Sequence, residues 1–82
     1  MDRYEYTEHA AFVRKERRIL DEWVHRALVA PDRVEHKPDG TDHYLKTIRE
    51  FGDRWLRVVV NPNAEPRRIV TLFLDRRGRD TS

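Results

Sequence analysis

The side chain best suited to chemistry is that of His9, which lies at the start of a helical pattern beside apolar residues. Imidazole titrates near neutral pH, so a histidine can accept or donate a proton during a reaction. A structural role stays open beside the catalytic one, and it is the more usual role for a single histidine. His9 would then cap the helix or form a hydrogen bond to the sheet beside it.

Arginine side chains supply a second candidate chemistry, because a guanidinium binds phosphate through paired hydrogen bonds. Residues 1–50 carry ten Lys and Arg against eleven Asp and Glu, whereas residues 51–82 carry seven Arg against four acidic residues. The positive excess therefore lies toward the C-terminus. A nucleic-acid surface and a solvated network of surface ion pairs both fit this pattern. The candidates are Arg14, Arg17 and Arg18 on the first helix and Arg57, Arg67, Arg68, Arg76 and Arg77 farther along.

Most other kinds of catalytic site lack the residues that they need. The chain has no cysteine, and its histidines do not have the spacing of metal ligands. Those histidines are His9, His25, His36 and His43. No glycine-rich phosphate loop, nucleophile elbow or closely spaced carboxylate pair is present. The sequence thus predicts no metal site and no cofactor.

The elements that position these side chains must come from a short chain. Its 82 residues are 38% hydrophobic and 39% charged, which suits one domain with a small core. Aromatic residues can fill much of that core, whereas no disulfide can support it. We expect a cytoplasmic protein that does not contact a membrane, because the sequence has no long apolar stretch and no export signal.

Helical periodicity predicts a helical hairpin over about residues 8–30. Thr7 is the expected N-cap of the first helix and Asp21 that of the second, and Pro31 ends the pattern. The connection between the helices is short, which favours adjacent helices. The side chains expected on the apolar faces are His9, Phe12, Val13 and Glu16 in the first helix, and Trp23, Val24, Ala27 and Leu28 in the second.

Alternating periodicity predicts an antiparallel sheet over about residues 33–75, followed by a solvated tail at 76–82. Gly52 and Asp53 indicate a tight turn between a strand from Asp42 to Phe51 and a strand from Arg54 to Asn61. The last strand is expected from Arg67 to Asp75. The expected fold is α+β, with two N-terminal helices packed on a curved antiparallel sheet of about four strands. The whole of residues 1–82 forms one domain in this prediction.

The two faces of the predicted sheet follow if Gly52 and Asp53 form a two-residue turn that pairs Phe51 with Arg54. One face would then receive the helices, and the other would be a shallow binding surface or the outer side of a sheet partly covered by the tail. The first face would hold Leu45, Phe51, Leu56, Val58 and Val60, and the second would hold Tyr44, Ile48, Trp55, Arg57 and Val59.

Four short motifs resemble a bacterial family of small domains of unknown function (DUF4258-like). They are Tyr6-Thr7-Glu8-His9-Ala10 with Arg14 and Arg17, Ala30-Pro31-Asp32, Leu56-Arg57-Val58-Val59-Val60, and Ile69-Val70-Thr71 with Asp75. That family looks related to the RelE and ParE toxins, which implies two helices on a curved antiparallel sheet. RelE-like members cut messenger RNA and ParE-like members inhibit gyrase by binding, so the resemblance implies either an enzyme or a binder.

The resemblance leads us to expect a toxin-like domain that acts on RNA, as a metal-independent endoribonuclease. His9 would be the catalytic base or acid, Thr71 would orient a group or donate a hydrogen bond, and Arg57 would bind phosphate. Further nucleic-acid contacts would come from Arg14, Arg17, Arg67 and Arg68. The alternative is a noncatalytic module that binds a protein partner, such as an antitoxin, through Tyr44 and Trp55. An inactive relative of the toxins is the third alternative.

Overall fold

The computed structural model describes residues 3–75, in which two helices cover one side of a five-stranded sheet. In chain order the elements are β1 (Tyr4–Tyr6), α1 (Glu8–Glu16), α2 (Asp21–Val29), β2 (Arg33–His36), β3 (Asp42–Ile48), a 3-10 turn (Arg49–Phe51), β4 (Arg54–Asn61) and β5 (Arg67–Asp75). The predicted tail, with Arg76 and Arg77, lies outside the described residues. None of the helices within residues 3–75 is long and apolar enough to cross a membrane.

The sheet is mixed and has the strand order β1-β5-β4-β3-β2, so the predicted antiparallel sheet of about four strands is wrong. Strands β2 to β5 pair antiparallel, whereas β1 pairs with β5 in parallel, with Tyr4 opposite Arg67 and Tyr6 opposite Ile69. The α+β class itself is confirmed. The edge that β1 joins, and its direction, depend on residues far apart in sequence, which a local alternating pattern does not specify.

Local contacts determine where the two helices begin. Thr7 Oγ1 accepts a hydrogen bond from the backbone N–H of Ala10 at 3.0 Å, which confirms Thr7 as the N-cap of α1. The N-cap of α2 is Leu20, whereas Asp21, the predicted cap, is the first helical residue. A carboxylate in that first turn stabilises the helix through its dipole. Asp21 also accepts a hydrogen bond from the hydroxyl of Tyr6, which fixes β1 against the start of α2.

The core lies between the helices and one face of the sheet, with α1 over β5 and β1 and with α2 over β4 and β3. The prediction for α2 is confirmed, since Trp23, Val24, Ala27 and Leu28 are all buried. The buried residues of α1 are Ala10 and Val13, whereas Phe12 is 62% exposed and His9 is also exposed. The predicted apolar face of α1 is therefore wrong for His9, Phe12 and Glu16, which are all exposed, and right for Val13. The sheet contributes Ile48, Leu56, Val58, Val60, Ile69 and Leu72.

The connection between β3 and β4 is longer than predicted, and this moves residues from one face to the other. Ile48 pairs with Arg54, and the 3-10 turn is followed by Gly52 and Asp53, both with positive φ. The pairing differs by three positions from the one that placed Phe51 opposite Arg54, and an odd shift exchanges the two faces of a strand. Tyr44 and Ile48 therefore face the helices with Leu56, Val58 and Val60, while Leu45 lies on the opposite, outer face with Trp55, Arg57 and Val59.

Candidate functional site

One edge of the sheet lacks a neighbouring strand along part of its length. β1 pairs only with Arg67–Ile69 of β5, and within residues 3–75 no strand pairs with the rest of that edge. Helix α1 lies there, and the side chains of its N-cap and C-cap residues bind carbonyl groups of β5. The Thr7 hydroxyl donates to the Val70 carbonyl oxygen at 3.2 Å, and Arg17 Nη1 donates to the Leu72 carbonyl oxygen at 3.0 Å. Hydrogen bonds to β5 thus fix these side chains at a part of the edge that no strand within residues 3–75 covers.

His9 and Thr71 meet at this edge although 62 positions separate them in sequence. His9 Nε2 lies 3.3 Å from Thr71 Oγ1, with the imidazole exposed and the threonine half-buried. A hydroxyl can donate to or accept from an imidazole nitrogen, so this contact fits either protonation state of His9. The contact restrains the orientation of the imidazole and leaves the ring accessible to a ligand.

A shallow cleft of about 440 Å³ opens beside this pair. It is lined by Arg17, Thr71, Phe73 and Leu74, and we call these four residues together with His9 the edge cleft. The cleft offers a cation, a hydroxyl, an imidazole and an aromatic ring. Such a set suits a ligand that joins an anionic group to a flat ring system, as a nucleotide does.

The two arginines of α1 point to different parts of the molecule. Arg14 is half-buried and donates to the Ile19 carbonyl oxygen at 3.1 Å, with its guanidinium 5.3 Å from the centre of the Tyr6 ring. It therefore supports the connection between α1 and α2. Arg17 is exposed, reaches β5 and lines the edge cleft. Of the predicted basic side of α1, the structure thus places Arg17 in one cleft with Thr71, the partner of His9, and places Arg14 at the connection to α2.

Next to Arg14, the hydroxyls of Tyr4 and Tyr6 and the carboxylate of Asp21 form a hydrogen-bonded cluster, which the sequence pattern did not predict. The hydroxyl of Tyr6 and, at 3.4 Å, that of Tyr4 both donate to Asp21. Burial raises the pKa of Tyr6, and the neighbouring Asp21 carboxylate raises it further. Both features keep the phenol of Tyr6 neutral, so the cluster acts as a hydrogen-bonded joint between β1 and α2.

Arg57 lies outside the edge cleft, on the outer face, and is 7% exposed. Its Nε donates to Asp75 Oδ2 at 3.1 Å, and its Nη1 donates to Glu35 Oε1 at 3.1 Å and to His43 Nδ1 at 2.9 Å. Burial lowers the pKa of His43, and the positive charges of Arg57 and Lys37 lower it further. We call Arg57, Glu35, His43 and Asp75 the outer-face cluster. The expected phosphate-binding arginine is here paired with two carboxylates of the protein.

The other predicted nucleic-acid contacts lie at the opposite end of β5 from the edge cleft. Arg67 Nη1 donates to the Tyr44 hydroxyl at 2.9 Å, and the Arg67 guanidinium lies 5.6 Å from the centre of that ring. Arg68 is exposed, and its Nη2 lies 3.7 Å from Glu5 Oε1. Neither Arg67 nor Arg68 lines the edge cleft.

The two residues of the predicted protein interface lie on opposite faces of the sheet. Tyr44 pairs with Val58 and packs against the core on the helix side. Trp55 is half-buried and lies on the outer face. The predicted surface that combined Tyr44 with Trp55 is therefore wrong, and the cause is the three-position change in register described above.

Phe73 is a residue of the edge cleft that the sequence analysis missed. It pairs with Arg57 across the sheet, which places it on the outer face two positions after Thr71. The alternating pattern of β5 predicts that Phe73 and Thr71 point to the same side, and this was the available signal.

The histidines outside the edge cleft have local partners, apart from the exposed His25. His36 Nδ1 lies 2.7 Å from Asp42 Oδ1, and His43 belongs to the outer-face cluster. Within residues 3–75, no three His, Asp or Glu side chains are grouped so that they could hold a metal ion. At this edge of the sheet, the groups that could take part in a reaction are the side chains of His9, Arg17 and Thr71.

A family model described as "Domain of unknown function (DUF4258)" matches residues 6–74 of the chain. The match includes all five residues of the edge cleft and three members of the outer-face cluster, Glu35, His43 and Arg57. Neither the curated proteins nor the solved structures contain a match.

Proposed function

This chain belongs to the family whose model it matches, the domain of unknown function DUF4258, and on that premise we propose that it binds RNA in the edge cleft and cleaves it. The observation that carries the proposal is the contact of the exposed His9 with Thr71 beside the Arg17 guanidinium. An imidazole thus contacts a hydroxyl that lines one cleft with a guanidinium, and in this proposal the three groups transfer the proton, orient the imidazole and bind the phosphate.

His9 acts as the base in this mechanism. Nε2–H of the neutral imidazole donates to Thr71 Oγ1, and the unprotonated Nδ1 takes the proton from a ribose 2′-hydroxyl, so that the 2′-oxygen attacks the adjacent phosphorus. The bond from phosphorus to the 5′-oxygen breaks, which produces a 2′,3′-cyclic phosphate and a 5′-hydroxyl end. Water in the open cleft supplies the proton to the leaving oxygen. Thr71 orients the imidazole through the contact at Nε2.

Arg17 binds the phosphate and stabilises the negative charge that develops on it. A guanidinium has five N–H donors, and Arg17 uses Nη1 to anchor itself on the Leu72 carbonyl oxygen. The other donors serve the phosphate, and charge-assisted pairing of this kind is strong and directional. In this proposal Arg14 supports the helix that carries Arg17, and Arg57 stabilises the sheet instead of binding phosphate.

The direct test is cleavage of a single-stranded RNA by purified protein, with analysis of the product ends. Wild type should yield 2′,3′-cyclic phosphate, and His9→Ala should lower the rate by about 100-fold or more. The exposed His25 provides the matched control, since His25→Ala removes an imidazole from the surface of α2. A folded His9→Ala protein that cleaves as fast as wild type overturns the proposal.

A second test follows growth and total RNA when wild type and His9→Ala are expressed in a bacterial host. Growth arrest with RNA fragmentation, relieved by His9→Ala and by Thr71→Val but not by His25→Ala, supports a toxin-like action. Normal growth with intact RNA, together with no cleavage by the purified protein, contradicts it. A relationship of the family to the RelE and ParE toxins is part of this proposal, and its support is the α+β fold in which both helices precede the four antiparallel strands.

A noncatalytic protein-binding module is the alternative, and two exposed apolar side chains favour it. Phe12 on α1 is 62% exposed and Val29 on α2 is 61% exposed. Exposed apolar groups of this size can anchor a protein partner such as an antitoxin. Binding to a protein would respond most to Phe12→Ala, whereas binding to RNA would weaken steeply with added salt and with Arg17→Ala.

A further inference from the structure

Phe73 is an aromatic side chain that does not contribute to the helix-side core. Among the described residues, neither the buried cluster between the helices and the sheet nor the side chains packed against it include Phe73. The residue is half-buried on the outer face and forms part of the wall of the edge cleft. A large ring kept partly in contact with solvent beside Arg17 is therefore a candidate contact for a ligand.

We infer that Phe73 is a stacking platform for a nucleobase and that the edge cleft selects single-stranded RNA. The inference rests on the proposed RNA function and adds to it the form of the substrate and a residue that determines specificity. Arg17, Thr71 and Phe73 line one cleft of about 440 Å³, which lies within the usual range for a small-ligand site. One nucleotide can thus place its phosphate on Arg17 and its base on Phe73.

Selection for single strands follows from the geometry of stacking. Inside a duplex, both faces of each base are covered by the neighbouring bases, whereas an unpaired base exposes a face to an aromatic side chain. Any base has such a face, so this contact selects unpaired RNA with little regard to sequence. Arg17 alone would bind the phosphates of either form.

The competing explanation is that Phe73 only packs beside Arg57, its cross-strand partner. Two substitutions separate these roles. Phe73→Leu keeps an apolar side chain of moderate size and removes the aromatic face, whereas Phe73→Trp keeps the aromatic face. Packing would be better preserved by leucine, and stacking by tryptophan. Thermal unfolding of both variants establishes that they are folded before binding is measured.

The experiment measures binding of a 2′-O-methyl oligonucleotide, which lacks the attacking hydroxyl, as a single strand and as a duplex. Wild type should bind the single strand about 10-fold more tightly than the duplex. Phe73→Leu should lose about 10-fold in affinity for the single strand and leave the affinity for the duplex unchanged, and Phe73→Trp should match wild type. Equal affinities of wild type for the two forms, or no loss in Phe73→Leu, overturn the inference.

Cleavage of unmodified RNA by the same proteins distinguishes this inference from the proposed function. Selective binding that depends on Phe73 but is not followed by cleavage supports the stacking role and overturns the catalytic proposal. Cleavage that His9→Ala abolishes and Phe73→Leu leaves unchanged, for single strand and duplex alike, overturns the stacking role alone. No binding of either oligonucleotide together with no cleavage of unmodified RNA overturns both.

Discussion

The edge cleft and the outer-face cluster each contain one arginine and one histidine, but in opposite surroundings. Arg57 of the outer-face cluster is 7% exposed and is bound to two carboxylates and a histidine nitrogen. Arg17 and His9 of the edge cleft are exposed, and their hydrogen-bond partners within residues 3–75 are a carbonyl oxygen and a hydroxyl. A guanidinium between two carboxylates has its charge balanced by the protein, whereas one on a neutral carbonyl can still bind an anion. The partners of each guanidinium, and not the residue type, therefore determine whether the protein itself balances its charge.

The largest expected effect on stability comes from Arg57→Ala. Removal of this buried cation takes away charge-assisted hydrogen bonds to Glu35 and Asp75, although Glu35 keeps Arg33 and Lys37, so the free energy of unfolding should fall by about 2 kcal/mol. Arg17→Ala is the matched variant in the edge cleft, and it should lose at most about 1 kcal/mol because it removes one hydrogen bond at the surface. Urea denaturation of both proteins measures the difference. Equal losses would show that the two arginines do not differ as the comparison requires.

For binding to RNA we expect the larger effect at Arg17, the position with the smaller effect on stability. Arg17→Ala should weaken binding to RNA by about 10-fold and reduce the slope of log affinity against log salt by about 1. Arg54, an exposed arginine whose guanidinium lies 5.3 Å from the centre of the Phe51 ring, provides the control. Arg54→Ala should leave both quantities close to those of wild type in a salt titration followed by fluorescence anisotropy. A larger effect of Arg54→Ala would place the RNA elsewhere on the surface.

Thr7 tests whether the edge cleft depends on the start of α1. Thr7→Ala removes the N-cap and the bond to the Val70 carbonyl oxygen, so the free energy of unfolding should fall by about 1 kcal/mol. Any RNA cleavage should fall as well, since the same helical turn carries His9. Thr7→Ser keeps the hydroxyl and should retain most of both properties in urea denaturation and cleavage assays. A serine variant as impaired as the alanine variant would contradict a role for the hydroxyl.

The smallest expected effect is a dependence of stability on pH that originates in the outer-face cluster. Desolvation, Arg57 and Lys37 lower the pKa of His43 below its ordinary value of 6.5, although Glu35 and Asp39 oppose the shift. As the pH falls, His43 therefore becomes protonated at a higher pH in the unfolded chain than in the folded protein. The contribution of neutral His43 to stability is complete above about pH 6.5 and is lost as the pH falls through its lower folded-state pKa.

Two measurements check this expectation. The His43 ring should titrate with a midpoint below 6.5 when it is followed by NMR. The difference in unfolding free energy between pH 7.5 and pH 5.5 should become smaller in His43→Gln than in wild type. A midpoint at or above 6.5 would contradict the neutral imidazole that accepts a hydrogen bond from Arg57.

Sequence reasoning was most successful where neighbouring residues decide the outcome. Strand β4 (Arg54–Asn61) and strand β5 (Arg67–Asp75) have the predicted limits, and Thr7 is the N-cap that its side chain predicted. It failed where one loop controls distant residues. The 3-10 turn at Arg49–Phe51 lengthened the connection and moved Leu45 to the outer face. No local pattern distinguished that turn from a shorter one, because Gly52 and Asp53 adopt positive φ in the structure as a tight turn would also require.

The candidate site likewise combines features that the local sequence predicts with features that only the tertiary structure decides. The residue types of His9, Arg17 and Thr71 are present in the sequence and predict proton transfer and phosphate binding. The contact of His9 with Thr71 and that of Arg17 with β5 depend on α1 lying along the edge of β5 beyond the end of β1, whereas Arg57 lies on the outer face and pairs with carboxylates. The sequence by itself determined the helices, the strands, the main cap and the chemical groups, because these depend on spacing and on contacts within a few residues. The tertiary structure alone decided the parallel β1, the faces of β3 and the meeting of His9 with Thr71, because each depends on pairing between segments far apart in the chain.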